Sequence, residues 1–138
     1  MHRTEPKVFL VAESRMVEEG LQAYLEHVGA PDWKSDAISD PEKIVEVMGR
    51  LCYRSFKPGL NPNVTRVREH NKDYIENVLK VKHGSVIEHP TLSFIFADVS
   101  RVFTHELVRH RVGVAISQES LRFVRLDDLG LWLPTVIE

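Results

Sequence analysis

The chain has 138 residues, 43% of them hydrophobic, and sets 18 Lys and Arg against 20 Asp and Glu for a formal charge of −2. That length suits one domain with an ordinary core, and a pI of about 6.4 argues against a broad basic surface of the kind that wraps nucleic acid. A lone cysteine, Cys52, excludes an intramolecular disulfide and a cysteine-based zinc cluster, and no stretch approaches the ~20 apolar residues of a membrane span, so a cytoplasmic protein with no membrane partner is expected.

The first predicted element is a buried strand over Lys7 to Ala12, short, apolar and rich in branched side chains. From Arg15 to Val28 the residues Val17, Leu21, Tyr24, Leu25 and Val28 recur at helical spacing, with Ser14 as N-cap and Gly29 as stop. Asp40 as N-cap and Pro41 at the first helical position open a second helix whose stripe is Ile44, Val47, Met48, Leu51 and Cys52, which places the Cys52 thiol in the core as a structural group. Residues 55 to 65 carry two prolines, a glycine and two asparagines, the composition of a flexible loop. A third helix follows from Glu69 to Lys82, with Tyr74, Ile75, Val78 and Leu79 on one face and Gly84 ending it.

Past Pro90 the period changes to two, since Leu92, Phe94 and Phe96 alternate with Ser93, Ile95 and Ala97 as in a strand. Ser100 then caps a helix over roughly Arg101 to Val112, with Val99, Val102, Phe103 and Leu107 toward the core and Arg101, His105 and Arg109 stacked on another face. Leu121 and Phe123 alternate with Ser120 and Arg122, so an extended segment there projects Gln118, Ser120 and Arg122 to one side. The order predicts an α+β fold, a mixed or antiparallel sheet packed with several helices in one layer-type domain.

The functional signal concentrates between residues 101 and 125, where five arginines against two glutamates give a local charge of about +3 in a chain of −2. Guanidinium forks bind phosphate and carboxylate in bidentate fashion and stay charged at any relevant pH. The same charges also suit a solvated helix face. On a regular helix Arg109 and Arg111 point about 200° apart, so either the helix breaks at or before Gly113 or the two serve different ligands, possible across a subunit boundary. His105-Glu106 opens like a zinc-protease motif, but the next histidine, His110, comes one residue late and faces about 140° away, so no metal site is expected. No nucleophile elbow, Walker loop or dinucleotide glycine motif occurs, and Ser120, with no adjacent base, is a binding hydroxyl.

Arg109-His110-Arg111 followed by Ser120-Leu121-Arg122-Phe123 resembles the signature of the flavin-dependent thymidylate synthases, with eight residues between the two parts where the family has seven. His83-Gly84-Ser85-Val86-Ile87-Glu88-His89 is similar to that family's upstream His-x-Ser/Thr-x-x-Glu-His segment. Weaker likenesses lie at Arg50 to Ser55 and at Leu131-Trp132-Leu133-Pro134, the latter similar to a family strand. The resemblance implies methylation of dUMP to dTMP, with methylene-tetrahydrofolate as carbon donor, FAD as hydride source and NADPH reducing the flavin.

By this resemblance His83, Ser85, Arg109, His110, Arg111 and Gln118 would contact FAD. Glu106, Arg109, Gln118, Glu119, Ser120, Leu121 and Arg122 would contact the nucleotide, Glu106 standing where the family generally has glutamine. The resemblance further implies a homotetramer with shared sites, and helices past Glu138 that complete them, so this stretch is expected to lack the family's C-terminal portion. The family's pyrimidine-polarising arginine would lie there, and no residue here is assigned a catalytic role. A noncatalytic or differently specific flavin- or nucleotide-binding relative stands as the alternative.

Overall fold

In the computed structural model, which describes residues 2–125, 127, 128 and 130–133, the elements are β1 (His2–Arg3), β2 (Lys7–Glu13), α1 (Glu18–His27), α2 (Asp40–Tyr53), α3 (Asn71–Lys80), β3 (Leu92–Ala97), α4 (Arg101–Leu107) and β4 (Gly130–Leu131). A 3-10 turn spans Gly84–Glu88. The strands form two two-stranded sheets, β1 with β4 and β2 with β3, and with four helices they make an α+β protein. The chain divides into two compact units, residues 12–93 and residues 1–11 with 94–138.

The 12–93 unit holds every buried residue among those described. One apolar cluster joins Leu21 and Leu25 of α1 to Ala30, Val47 and Phe56, and another joins Val45 of α2 to Tyr74, Val78 and Val86. The Leu, Val and Phe side chains among them contribute about 1.5–3 kcal/mol each when fully buried. Because Val47 and Val45 serve different clusters, α2 is covered on two faces, and from Ile44 to Arg50 only Met48 is not buried. The single stripe expected for this helix is therefore corrected: its C-terminal turn protrudes past both clusters, leaving Leu51 and Cys52 exposed.

Between the two clusters α2 buries an ion pair, Glu46 and Arg50, each 1% exposed. Arg50 Nε and Nη2 donate to Glu46 Oε1 at 2.9 and 2.7 Å. Glu46 Oε2 accepts from Ser35 Oγ at 2.5 Å and from Asn71 Nδ2 at 2.8 Å. Arg50 also donates from Nη1 to the Ser55 carbonyl at 2.9 Å and from Nη2 to the Arg68 carbonyl at 2.8 Å, tying both ends of the 55–68 loop to α2. The ring of Tyr74 lies 4.6 Å from the same guanidinium, and burial pushes its phenol up to about 12. Tyr74 approaches α2 closely enough that a Cβ at Gly49 would overlap its hydroxyl and sit 3.0 Å from its ring, so only glycine fits there.

Helix boundaries differ from the expected ones for local reasons. Ser14 does not cap α1: its hydroxyl bonds Thr91 and accepts the Thr91 N–H at 2.8 Å, and α1 starts three residues later without a side-chain cap. Ser39, not the expected Asp40, caps α2, which moves Asp40 into the first turn and leaves its carboxylate to accept the Met16 N–H at 3.0 Å. Gly29 ends α1 as expected, its φ of +78° letting the Ala30 N–H reach back to the Leu25 carbonyl at 2.8 Å. Helix α3 ends at Lys80, ahead of the expected stop at Gly84, which opens the 3-10 turn.

In the other unit β1 pairs with β4 in parallel, His2 opposite Gly130 and Arg3 opposite Leu131. Most of the β2–β3 sheet, residues 7–11 and 94–97, also belongs to it. Every residue of β2 is exposed, which corrects the buried strand inferred from its apolar run. Helix α4 likewise buries nothing, and Val102, expected in the core, is 76% exposed. Apolar composition marks what a segment can bury; the neighbours that would cover it are a separate condition.

Candidate functional site

Ser100 starts α4 as expected, its hydroxyl accepting the Phe103 N–H at 3.1 Å. The helix then stops after seven residues, well before Val112. A helix this short, with no buried face, lacks the packing that extends helices in proteins, and β-branched Val108, Val112 and Val114 do not favour continuation. Its last turn tightens: the Arg109 N–H donates to the Glu106 carbonyl at 3.2 Å and the His110 N–H to the Leu107 carbonyl at 3.1 Å. Arg109, His110 and Arg111 therefore lie outside the regular helix, so its 200° divergence does not separate the two arginines.

The same unit brings Gln118 and Glu119 against α4. Arg101 Nη2 donates to the Glu119 carbonyl at 3.0 Å, and Gln118 Nε2 donates to Thr104 Oγ1 at 2.9 Å. Thr104 Oγ1 in turn donates to the Arg101 carbonyl at 3.1 Å. Arg101, expected beside His105 and Arg109 as a ligand-facing cation, thus holds the 118–119 segment in place. Arg109 Nη1 donates to both carboxylate oxygens of Glu106 at 3.2 Å, an exposed pair that water screens.

The extended reading of 120–123 is corrected. Leu121 to Phe123 form a turn, in which the Ser120 carbonyl accepts the Phe123 and Val124 N–H groups at 3.3 and 2.9 Å and Ser120 Oγ accepts the Arg122 N–H at 3.2 Å. A hydroxyl that can cap its own turn offers the backbone an alternative to a strand. The Arg122 guanidinium lies 5.3 Å from the Phe123 ring, and Leu121 is exposed. His110, Arg111 and Glu119 are also exposed, so this segment presents cations, an amide and a hydroxyl to solvent, a donor set that fits phosphate.

His83 and Ser85 belong to the 12–93 unit. His83 precedes the 3-10 turn, half-buried and edge-on to Tyr53 with centroids 5.6 Å apart, its N–H donating to the Val78 carbonyl at 3.0 Å. Ser85 is exposed on that turn, which is anchored by Val86. Among the described residues no three His, Cys, Asp or Glu side chains gather at metal-binding spacing. Pro134 of the expected 131–134 strand lies outside the described residues, and the strand itself covers Gly130–Leu131.

Sequence reasoning missed the polar residues that organise the 12–93 unit. Beside the buried Glu46 and Arg50, Asp36 Oδ1 accepts the first N–H of α3, from Asn71, at 2.6 Å, and Asp36 Oδ2 pairs with His70 Nδ1 at 2.9 Å. The Asn71 hydrogen bond and the imidazole hold the Asp36 carboxyl below its usual value, and the Asp36 carboxylate raises His70. A Glu and an Arg four apart inside an apolar helical stretch was the available signal for the first pair; a partner 34 residues away left none for the second.

The family model described as thymidylate synthase complementing protein matches residues 35–138, and the chain belongs to that family. It is 42% identical over 109 residues to a flavin-dependent thymidylate synthase of Corynebacterium diphtheriae, covering 78% of this chain and 40% of that protein. It is 43% identical over 108 residues to one of Mycobacteroides abscessus, with coverages of 78% and 40%. With one of Mycobacterium tuberculosis it shares 37% over 131 residues, 93% of this chain and 49% of the relative. The chain thus spans less than half the length of these curated relatives. No helix among the described residues is long and apolar enough to cross a membrane.

Proposed function

We propose that residues 1–138 form one domain carrying the flavin- and nucleotide-binding part of a flavin-dependent thymidylate synthase, which methylates dUMP to dTMP with methylene-tetrahydrofolate as carbon donor and NADPH as reductant. The supporting observation is the exposed cationic segment released by the early end of α4. Arg109, His110 and Arg111 would hold the FAD phosphates, with Gln118, His83 and Ser85 as further flavin contacts. Bound flavin supplies the hydride. Ser120 and Arg122 would take the dUMP phosphate, with Glu106, Arg109, Glu119 and Leu121 as the remaining nucleotide contacts and Gln118 touching both ligands. Arg101 and Thr104 act as positioning residues, since they fix the 118–119 segment. The protein would work in the cytoplasm as a homotetramer, without nucleic acid or membrane partners.

One observation favours a second reading, a noncatalytic or differently specific flavin or nucleotide binder. Glu106 accepts from Arg109 Nη1 on both carboxylate oxygens, so a resident carboxylate competes with an incoming anion for that guanidinium. Desalting after incubation with FAD, followed by flavin absorbance, tests both. Arg109→Ala is expected to lose most of the retained flavin and Arg66→Ala, outside the motif, to keep it; equal retention contradicts the assignment. A protein that takes up no flavin and gains no thermal stability from it removes both readings. Isotope-traced conversion of dUMP to dTMP separates the enzyme from the binder.

A further inference from the structure

The segment joining α2 to α3 carries a charge that the proposed flavin and nucleotide contacts leave unused. Residues 54–68 include Arg54, Lys57, Arg66 and Arg68, all exposed, and no acidic residue. Among the described residues none of these cations forms an ion pair, and Arg68 spends one donor on the neutral Asn77 amide at 2.8 Å. Asp32 and Glu69 border the base of the segment without pairing to it. Its two arms are tied together twice. At the base Arg50 Nη1 and Nη2 donate to the Ser55 and Arg68 carbonyls, and toward the tip the Gly59 N–H donates to the Val64 carbonyl at 3.4 Å. Lys57 stands midway between Ser55 and Gly59, and Arg66 midway between Val64 and Arg68, so the two ties set these cations opposite each other. Like charges held across from one another repel, and with no acid in either arm the anion that relieves them comes from outside. The tip is fixed as well: Asn61 Nδ2 donates to the Tyr53 carbonyl at 2.9 Å, and the Tyr53 ring meets His83 edge-on. The run of cations therefore begins at Arg54, next in the chain to the side chain that touches His83.

We propose that residues 54–68 bind a chain of carboxylates, the γ-linked oligoglutamate tail of the folate that donates the carbon. This rests on the proposed reaction, in which His83 is a flavin contact. A folate reacts at its pterin end, which must reach the flavin, and carries its glutamates at the other end, so the tail leaves the flavin past Tyr53 and along the cations. Exposed pairs that are weak singly act together when the carboxylates share one chain.

The test titrates the 138-residue protein, at low salt where exposed charges are least screened, with pteroylmonoglutamate, pteroylpentaglutamate and free tri-γ-glutamate, followed by backbone amide NMR shifts. The pentaglutamate is expected to bind about ten times tighter than the monoglutamate or more, and tri-γ-glutamate alone to shift Lys57, Arg66 and Arg68. Lys57→Glu with Arg66→Glu, and the milder Lys57→Gln with Arg66→Gln, should bring the two folates close to equal affinity. Lys72→Glu with Lys80→Glu, the same charge change at exposed positions of α3, should keep the difference. Equal affinity for the two folates, a difference untouched by the loop variants, or an oligonucleotide of the same charge shifting the same amides as strongly as tri-γ-glutamate would overturn the proposal. Tri-γ-glutamate carries no pterin, so its shifts decide the matter even for a protein that retains no flavin, the result that removes the proposed function instead.

Discussion

Arg50 uses its guanidinium as a joint: it bonds one carboxylate on its own helix and two carbonyls thirteen residues apart in the chain, while Trp33 and Tyr74 lie against it. Two charges withdrawn from water are tolerated because Glu46 has further donors in Ser35 and Asn71, and no buried side-chain polar atom of the described residues lacks a partner. Removing one partner strands the other. Arg50→Met is therefore expected to cost about 3–5 kcal/mol, the usual loss when a buried ion pair is broken on one side. Glu46→Leu with Arg50→Met should recover part of that loss, because neither charge is then left unpaired. Urea unfolding midpoints check both, and a double variant no more stable than Arg50→Met would show that the loop-end carbonyls, not the stranded carboxylate, carry the penalty.

Helix α3 depends on a residue outside it, since its first N–H is met by Asp36 and its N-cap His70 has no capping bond of its own. Folding raises His70 through the Asp36 hydrogen bond and then its charge, so that contribution is complete below about pH 6.5 and fades as pH rises through the folded value. Folding lowers Asp36, first through the Asn71 N–H and then through His70, so its contribution is complete above about pH 3.8 and fades as pH falls through its folded value. The pair acts fully between those limits. His70→Asn is expected to lower the unfolding midpoint most between about pH 3.8 and 6.5 and hardly at all at pH 9. Asp36→Ala should remain destabilising at pH 9, where the Asn71 N–H still needs its acceptor; a His70→Asn effect independent of pH would refute the latch. Helices α1 to α3 were legible because Leu21, Leu25, Val47, Tyr74 and Val78 repeat at helical spacing and do pack. The 120–123 turn was not, because two alternating apolar residues fit a turn as well as a strand and the Ser120 bonds that decide between them are local backbone geometry. Of the candidate site, the residue types and their order were legible, whereas the early end of α4 and the Arg101 and Thr104 contacts depend on packing that α4 lacks.

Burial separates the two units more sharply than composition does. All ten buried apolar residues described lie between Leu21 and Val86, while Phe9, Leu10, Phe94, Phe103, Phe123 and Trp132 of the other unit are each at least 40% exposed. Ordering a residue costs roughly 1–2 kcal/mol of backbone entropy, which apolar burial must offset. In the 12–93 unit two clusters and a satisfied ion pair do so; the other unit has hydrogen bonds and half-covered side chains, a combination that opens at low free energy. The sequence could not reveal this division, because KVFLVA in β2 and LSFIFA in β3 are as apolar as any core strand. Native-state hydrogen exchange on the 138-residue polypeptide should therefore protect the amides of Val47, Tyr74 and Val78 most. Those of Leu10, Ile95 and Phe103 should exchange at least ten times faster, the ratio that a difference of about 1.4 kcal/mol in opening free energy gives. Equal protection in both sets would mean that the chain unfolds as one cooperative body, and that the exposed apolar side chains of β2, β3 and α4 are covered in solution by a second molecule.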